Sequence, residues 1–132
     1  MAKRILLVED DFDVRGIVRE QLIAFGFNVI EAVDSDEAQS LITSIPNLFA
    51  MLSDVSMPGK KSGFELAQCL RQIQPQANIV LMSGYVFEHK QAQDQAFEEV
   101  FLRKPFTASE LRYALDRAVS NAASQPVIEL NK

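Results

Sequence analysis

The sequence predicts an α/β fold in which a parallel sheet of five strands lies between two layers of helices. Short apolar runs without alternation, such as residues 4–8 and 78–82, are typical of strands that are covered on both faces. Between these runs, apolar residues recur at helical spacing over longer stretches. Strands that alternate with helices imply right-handed crossovers, and therefore a three-layer α/β/α sandwich.

The first part of the chain predicts two strand and helix pairs. The strand at 4–8 is followed by a helix with Asp11 as its N-cap and with apolar residues at helical spacing, namely Val14, Ile17, Val18, Leu22 and Phe25. A second strand is predicted over 27–31. Asp34 and Glu37 have the spacing of a capping box, and the next helix should bury Ala38, Leu41, Ile42 and Ile45.

A third strand is predicted over 48–52 and hands over to a loop near Asp54, because the dipeptide 58–59, Pro-Gly, forbids its continuation. A carboxylate at such a strand end in an open α/β sheet lies where chemistry usually takes place. The helix that follows begins at Gly63 and carries four residues at helical spacing, namely Phe64, Ala67, Leu70 and Ile73.

The last part of the chain predicts a fourth strand over 78–82 and a fifth over 99–102. Residues 85–97 have a partial apolar stripe, which favours a short, loosely held helix. Thr107 and Glu110 have the spacing of a second capping box. The final helix should bury Leu111, Ala114, Leu115, Ala118 and Ala122.

Length and composition fit one globular domain, since 132 residues with 48% hydrophobic content can bury a core without disulfides. We expect residues 1–123 to form this domain and residues 124–132 to be a C-terminal tail or the stump of a linker. Cys69 is the single cysteine and lies on the pattern of a helix, which favours packing over reactivity. His89 is interpreted as a solvated surface residue.

The charge balance gives no support for direct binding to nucleic acid or to a membrane surface, because 13 basic residues face 18 acidic residues for a net charge of -5. No apolar run approaches the roughly 18 residues that a membrane span needs. No signal peptide precedes Arg4. We therefore expect a cytoplasmic protein.

Polar residues stand where four of the predicted strands end. Glu9 and Asp10 follow the first strand, Asp54 the third, Ser83 the fourth and Lys104 the fifth. Because the carboxyl ends of parallel strands share one edge, these side chains should lie together. Three carboxylates repel one another unless a cation lies among them. Oxygen ligands with room for water suit Mg²⁺, with Mn²⁺ as a substitute, better than a Ca²⁺ cage or a zinc site.

Such a set of side chains is able to accept a phosphoryl group. Asp54 would attack phosphorus, the metal and Lys104 would neutralise charge, and Ser83 would donate a hydrogen bond to a phosphoryl oxygen. Each residue alone also has a plain structural interpretation, as a cap, a turn residue, a complement to a helix dipole or a surface charge. Agreement among four strand ends favours the phosphoacceptor hypothesis.

The chain resembles the receiver domains of two-component response regulators over residues 4 to about 121. Four segments carry this resemblance, in order and at the family's spacing: residues 5–11, 53–59, 81–84 and 101–106. The resemblance implies a flavodoxin-like (βα)5 fold with strand order 2-1-3-4-5. It also implies that Asp54 is the phosphoacceptor and that Mg²⁺ is bound by Glu9, Asp10, Asp54 and the backbone carbonyl of Ser56.

The resemblance assigns further roles to residues around the acceptor. Ser83 and Lys104 would bind the phosphoryl group, and Phe101 would be the switch aromatic that turns inward on phosphorylation. Ser56 and Tyr85 occupy positions that tune hydrolysis of the acyl phosphate, and we expect Tyr85 to cover the site partly and prolong the phosphorylated state.

Two departures from the family pattern stand out. Phe101 lacks the hydroxyl of a tyrosine, so switching must depend on its burial. The loop between Pro58 and Gly63 is one residue longer than the commonest receiver loop, which should alter the surface that faces partners.

The resemblance implies a signalling switch that catalyses only its own phosphorylation and dephosphorylation. A histidine kinase or phosphotransfer protein would donate the phosphoryl group. The face built from the fourth helix, fifth strand and fifth helix would then signal to a downstream protein or a fused output domain. The closeness of Met1 to the first strand favours a stand-alone or N-terminal receiver. A module excised from a hybrid histidine kinase or longer response regulator stays open, as does a phosphorylation-dependent dimer.

Two other classes of protein share parts of this pattern. A phosphatase of the haloacid dehalogenase type also uses a strand-end Asp and Mg²⁺, but it needs a second Asp where this chain has Ser56. A flavodoxin-like binding module would need a loop rich in hydroxyls and glycine after the first strand. The acidic residues 9–11 at that position would repel a flavin phosphate.

Overall fold

The computed structural model describes residues 2–84 and 100–130, and of residues 121–130 it describes the backbone. Its strands are β1 (Arg4–Val8), β2 (Asn28–Ala32), β3 (Ala50–Asp54), β4 (Asn78–Ser83) and β5 (Val100–Arg103). Its helices are α1 (Phe12–Ala24), α2 (Ser35–Ser44), α3 (Gly63–Ile73) and the C-terminal helix α4 (Ala108–Leu130). The helix predicted over 85–97, with Tyr85 and His89, lies outside the described residues.

All five strands are parallel, and their order is β2-β1-β3-β4-β5, which confirms the predicted α/β fold class and strand order. The middle strands β3 and β4 are buried at every residue. β3 runs two residues further than predicted because Asp54 still pairs with Met82 of β4. The proposed acceptor is therefore the last residue of a central strand.

The sheet separates two apolar cores, because successive strand residues point to opposite faces. Ile5 and Leu7 face the core under α1 and α4, whereas Leu6 and Val8 face the core under α2 and α3. Each fully buried leucine contributes about 2 kcal/mol by its removal from water. Cys69 packs against the second core, in agreement with its interpretation as a packing residue.

The first turns of α1 and α4 are capped by side chains as the sequence predicts. Asp11 accepts hydrogen bonds from the backbone of Asp13 and Val14. Thr107 and Glu110 form the predicted capping box. Around α2 the prediction is wrong in one detail, since the Glu37 carboxylate accepts from the Val33 N–H, one residue before the Asp34 cap. The Ser62 and Glu65 capping box of α3 was not predicted.

Three further boundaries and orientations differ from the predictions. Ile17 is 61% exposed, because Val18 takes the inward position of α1, and Ile73, the last residue of α3, is 45% exposed. The last helix continues to Leu130, beyond the end predicted near residue 123. The domain boundary at that position stays a prediction. Within the described part of the chain, no helix has the length and apolar character needed to cross a membrane.

Candidate functional site

Three carboxylates meet at the carboxyl edge of the sheet. Strands β1 and β3 are parallel neighbours, and Val8 pairs with Ser53. The next residue along each strand, Glu9 or Asp54, therefore lies beside the other. One carboxylate oxygen each from Glu9, Asp10 and Asp54 all lie within 4.8 Å of one another. Glu9 is 1% and Asp54 8% exposed, whereas Asp10 is exposed to solvent. The cluster is thus buried on one side and open on the other.

Lys104 joins this cluster from the end of β5. Its Nζ donates hydrogen bonds to Glu9 Oε1 and, over 2.8 Å, to Asp54 Oδ2. Its backbone N–H donates to the Ser83 carbonyl over 2.9 Å, which fixes its place beside β4. Burial lowers the pKa of the Lys104 ammonium, but the hydrogen bonds to Asp54 and Glu9 outweigh burial and leave that pKa raised above 10.5. Lys104 is therefore a cation at neutral pH.

Glu9 accepts hydrogen bonds from three other residues besides lying in the carboxylate cluster, and Lys104 is one of them. Its second carboxylate oxygen accepts from the Asp11 N–H over 3.1 Å, and its backbone carbonyl accepts from Arg15 Nη1 over 3.0 Å. Arg15 in turn pairs with Glu31 of β2, with 3.2 Å between Nε and the carboxylate. Sequence reasoning missed Arg15, since nothing in helical periodicity indicates a partner on another strand. Through its bonds to Glu9 and Glu31, Arg15 of α1 connects the end of β1 to β2.

The other predicted site residues lie at different depths around the cluster. Ser83 is fully buried at the end of β4, one residue beyond the Met82 that pairs with Asp54. Ser56 is exposed in the loop after β3. Phe101 of β5 is partly buried and packs against Phe64 of α3, with 6.0 Å between ring centroids. Tyr85 lies outside the described residues, so its expected position over the site stays a prediction.

The donor set fits a hard divalent cation. Its members are carboxylate oxygens, which Mg²⁺ prefers, and the solvent-exposed Asp10 leaves room for water ligands. The Lys104 ammonium offsets part of the negative charge among these carboxylates. The acidic cluster is therefore compatible with Mg²⁺ binding.

Comparison with known proteins agrees with this geometry. The family model "Response regulator receiver domain" matches residues 5–116. The response regulator protein FleR of Pseudomonas aeruginosa is 33% identical over an alignment of 138 positions, which covers 96% of this chain and 28% of FleR. The transcriptional regulatory protein CpxR of Escherichia coli is 35% identical over 109 residues, which cover 82% of this chain and 45% of CpxR. The chain thus spans less than half the length of these relatives.

Solved structures show the same fold. The receiver domain of the hybrid histidine kinase CckA is 30% identical with a TM-score of 0.73, over 88% of this chain and 98% of that one. Response regulator TrrA from Thermotoga maritima, in complex with Mg(2+)-BeF, is 29% identical with a TM-score of 0.75, over 88% and 98%. A receiver protein from Sinorhizobium medicae shares the fold at a TM-score of 0.81 and 24% identity, over 92% and 97%.

The family match covers most of the chain, and CpxR exceeds 30% identity over four fifths of it. The strand order and the acidic edge were predicted from four sequence segments, and the same segments lie within the matched range. This chain belongs to the response regulator receiver domain family.

Proposed function

We propose that Asp54 is the phosphoacceptor of a two-component phosphorelay. The observation that supports this most is that one cation and two further carboxylates surround Asp54. Its Oδ2 lies 2.8 Å from Lys104 Nζ. One of its carboxylate oxygens also lies within 4.8 Å of a carboxylate oxygen of Glu9 and of Asp10. Asp54 is 8% exposed and lies beside the solvent-exposed Asp10, on the side from which a donor would approach. A carboxylate in this setting is a nucleophile whose surroundings tolerate added negative charge.

In the proposed step, an Asp54 carboxylate oxygen attacks the phosphorus of a phosphohistidine. The new O–P bond forms as the P–N bond breaks, and the departing imidazole nitrogen keeps the electron pair and takes up a proton from solvent. Lys104 then donates to an oxygen of the phosphoryl group, and the Ser83 hydroxyl donates to another. The products are an aspartyl phosphate and a neutral histidine.

Glu9, Asp10, Asp54 and the backbone carbonyl of Ser56 would hold Mg²⁺, with Mn²⁺ as a substitute. When bound, the cation would neutralise charge on these carboxylates and on the phosphoryl oxygens. Both carboxylate oxygens of Glu9 already accept hydrogen bonds, which fixes the orientation of this ligand.

Phosphorylation would add about 1.5 to 2 negative charges beside Lys104 and Ser83 and draw both towards Asp54. Phe101 lies in β5, the strand that leads to Lys104, and would then become more deeply buried. The face around β5 and α4 would change its binding properties as a result. Ser56 and Tyr85 would tune the rate at which the aspartyl phosphate is hydrolysed.

We propose a histidine kinase or phosphotransfer protein as the phosphoryl donor. A downstream protein or a fused output domain would receive the signal, and the protein would be located in the cytoplasm.

Incubation with acetyl phosphate and MgCl₂, followed by intact-mass spectrometry, tests the acceptor. The parent protein should gain the mass of one phosphoryl group, and Asp54→Asn should gain none. Asp116→Asn, an exposed carboxylate on α4, is the matched control and should be modified like the parent. Equal modification of Asp54→Asn and the parent would overturn the proposal.

A further inference from the structure

A fully buried serine on the far side of the acceptor loop has no part in the reaction proposed above. Ser35 is the first residue of α2 and is 0% exposed. The N-cap of this helix is Asp34, whose carboxylate accepts from the Glu37 N–H over 2.8 Å. The hydroxyl of Ser35 is therefore not needed to cap its own helix.

Ser35 instead bonds to the loop that follows β3. Its backbone N–H donates to the Pro58 carbonyl over 3.0 Å, and its Oγ accepts from the Lys61 N–H over 2.9 Å. The first N–H groups of a helix lack acceptors within the helix, so the loop carbonyl satisfies one of them. A longer bond of 3.4 Å joins the Lys60 N–H to Asp36. The loop is thus tied to the first turn of α2.

Gly59 shows how closely the loop approaches this turn. A Cβ added to Gly59 would lie 2.1 Å from Ser35 Oγ and 2.9 Å from the Ser35 backbone nitrogen. Its φ of 114° is also one that residues with side chains rarely adopt. Glycine is therefore required at this position both by space and by backbone conformation.

The same loop is fixed at its other end beside Asp54. The Gly63 N–H donates to the Val55 carbonyl over 2.8 Å. A Cβ on Gly63 would lie 2.3 Å from the Asp54 carbonyl oxygen. Ser56 lies between Val55 and Pro58, whose carbonyls both accept these hydrogen bonds, so its backbone has little freedom.

We propose that Ser35 is a positioning residue for the site on Asp54. By holding Pro58 and Lys61, it orders the loop that carries the Ser56 carbonyl before any cation binds. A ligand that is already ordered saves the cost of ordering it on binding, so this contact raises the affinity for Mg²⁺. The proposal rests on the proposed function, because it takes the Ser56 carbonyl as a metal ligand.

Titration calorimetry with MgCl₂ tests this role on Ser35→Ala and Gly59→Ala, which break the contact from its two sides. We expect each variant to bind Mg²⁺ about threefold to tenfold more weakly than the parent. Ser35→Ala removes the hydrogen bond to Lys61, and Gly59→Ala forces the loop away from Ser35. Gly59→Ala alters an exposed loop position and keeps the Ser35 hydroxyl, so it tests the contact independently of Ser35→Ala.

Two matched controls separate positioning from general destabilisation. Ile42→Val trims a buried side chain of α2 without touching the loop. Gly26→Ala imposes a similar strain, at φ 97°, but an added Cβ there meets no atom within 4 Å. Both controls should bind Mg²⁺ like the parent.

Parent-like Mg²⁺ affinity in Ser35→Ala and Gly59→Ala would overturn the role of Ser35, as would an equal loss of affinity in Ile42→Val. These results would leave the proposed function intact if the parent is still phosphorylated on Asp54. A parent protein that binds no Mg²⁺ would overturn the metal site in the proposed function, and the role of Ser35 with it.

Discussion

The Lys104 ammonium lies 2.8 Å from Oδ2 of Asp54, so two residues 50 positions apart form one ion pair at the carboxyl edge of the sheet. Lys104 also donates to Glu9, which is 1% exposed. Without a bound cation, this ammonium compensates two carboxylates that the fold has removed from water. The charge of Lys104 therefore contributes to folding as well as to the proposed chemistry.

Lys104→Met should lower the free energy of unfolding by about 2–4 kcal/mol in the absence of divalent cations, because two largely buried carboxylates lose their shared donor. Addition of MgCl₂ should shrink this loss, since the cation compensates the same charges. Urea denaturation with EDTA and with MgCl₂ measures both values. Arg103→Met, on the exposed neighbouring residue, is the control and should change little. A loss that is the same with and without MgCl₂ would contradict the shared role.

Gly63→Ala should destabilise the protein by about 1–3 kcal/mol, because its Cβ would lie 2.3 Å from the Asp54 carbonyl oxygen and 2.9 Å from Val55 Cα. Both are backbone atoms that cannot move aside. Gly16→Ala is the matched control within α1, where an added Cβ meets only the Arg19 side chain at 3.9 Å. It should stabilise by about 0.5–1 kcal/mol. Thermal denaturation of the two variants should therefore shift in opposite directions.

Glu65 predicts a pH dependence of stability. The backbone N–H of Ser62 donates to the Glu65 carboxylate over 2.9 Å and lowers the pKa of that carboxyl below its usual 4.5. A lowered pKa in the folded state stabilises the fold above pH 4.5, and this contribution disappears as the pH falls through the folded value. Glu65→Gln keeps a capping oxygen but carries no charge. The parent should have the larger free energy of unfolding at pH 6, and its difference from Glu65→Gln should shrink when urea denaturation is repeated down to pH 3. A constant difference across this range would refute the linkage.

Gln74 connects the end of α2 to the segment that precedes β3. Its amide nitrogen donates to the carbonyls of Ile42 and Ile45, and its oxygen accepts from the Leu48 N–H over 2.8 Å. Gln74→Ala should cost about 2–4 kcal/mol, because buried backbone groups would lose their partners. Gln72→Ala, on the exposed side of α3, should cost little. Similar urea midpoints for the two variants would show that water replaces the lost bonds.

Local patterns were enough to predict most of the elements and the acidic edge. Leu6 and Leu7 face different cores, yet both belong to one apolar run that already indicates a strand covered on both faces. Boundaries were less accurate, and β3 extends to Asp54 because its ladder with β4 continues to Met82. Ile17 was predicted inward but is 61% exposed, since helical spacing alone does not decide which edge of an apolar stripe meets the sheet.

The sequence by itself determined the strand order, through its resemblance to receivers, and the identity of the polar residues at the strand ends. Only the tertiary structure decided their partners: Lys104 to Glu9 and Asp54, Arg15 to the Glu9 carbonyl, and Ser35 to the loop after Asp54. The physical reason is that periodicity depends on neighbours along the chain. The carboxylates and donors of this site come from strands and helices that only the assembled sheet and its crossovers bring within hydrogen-bond distance.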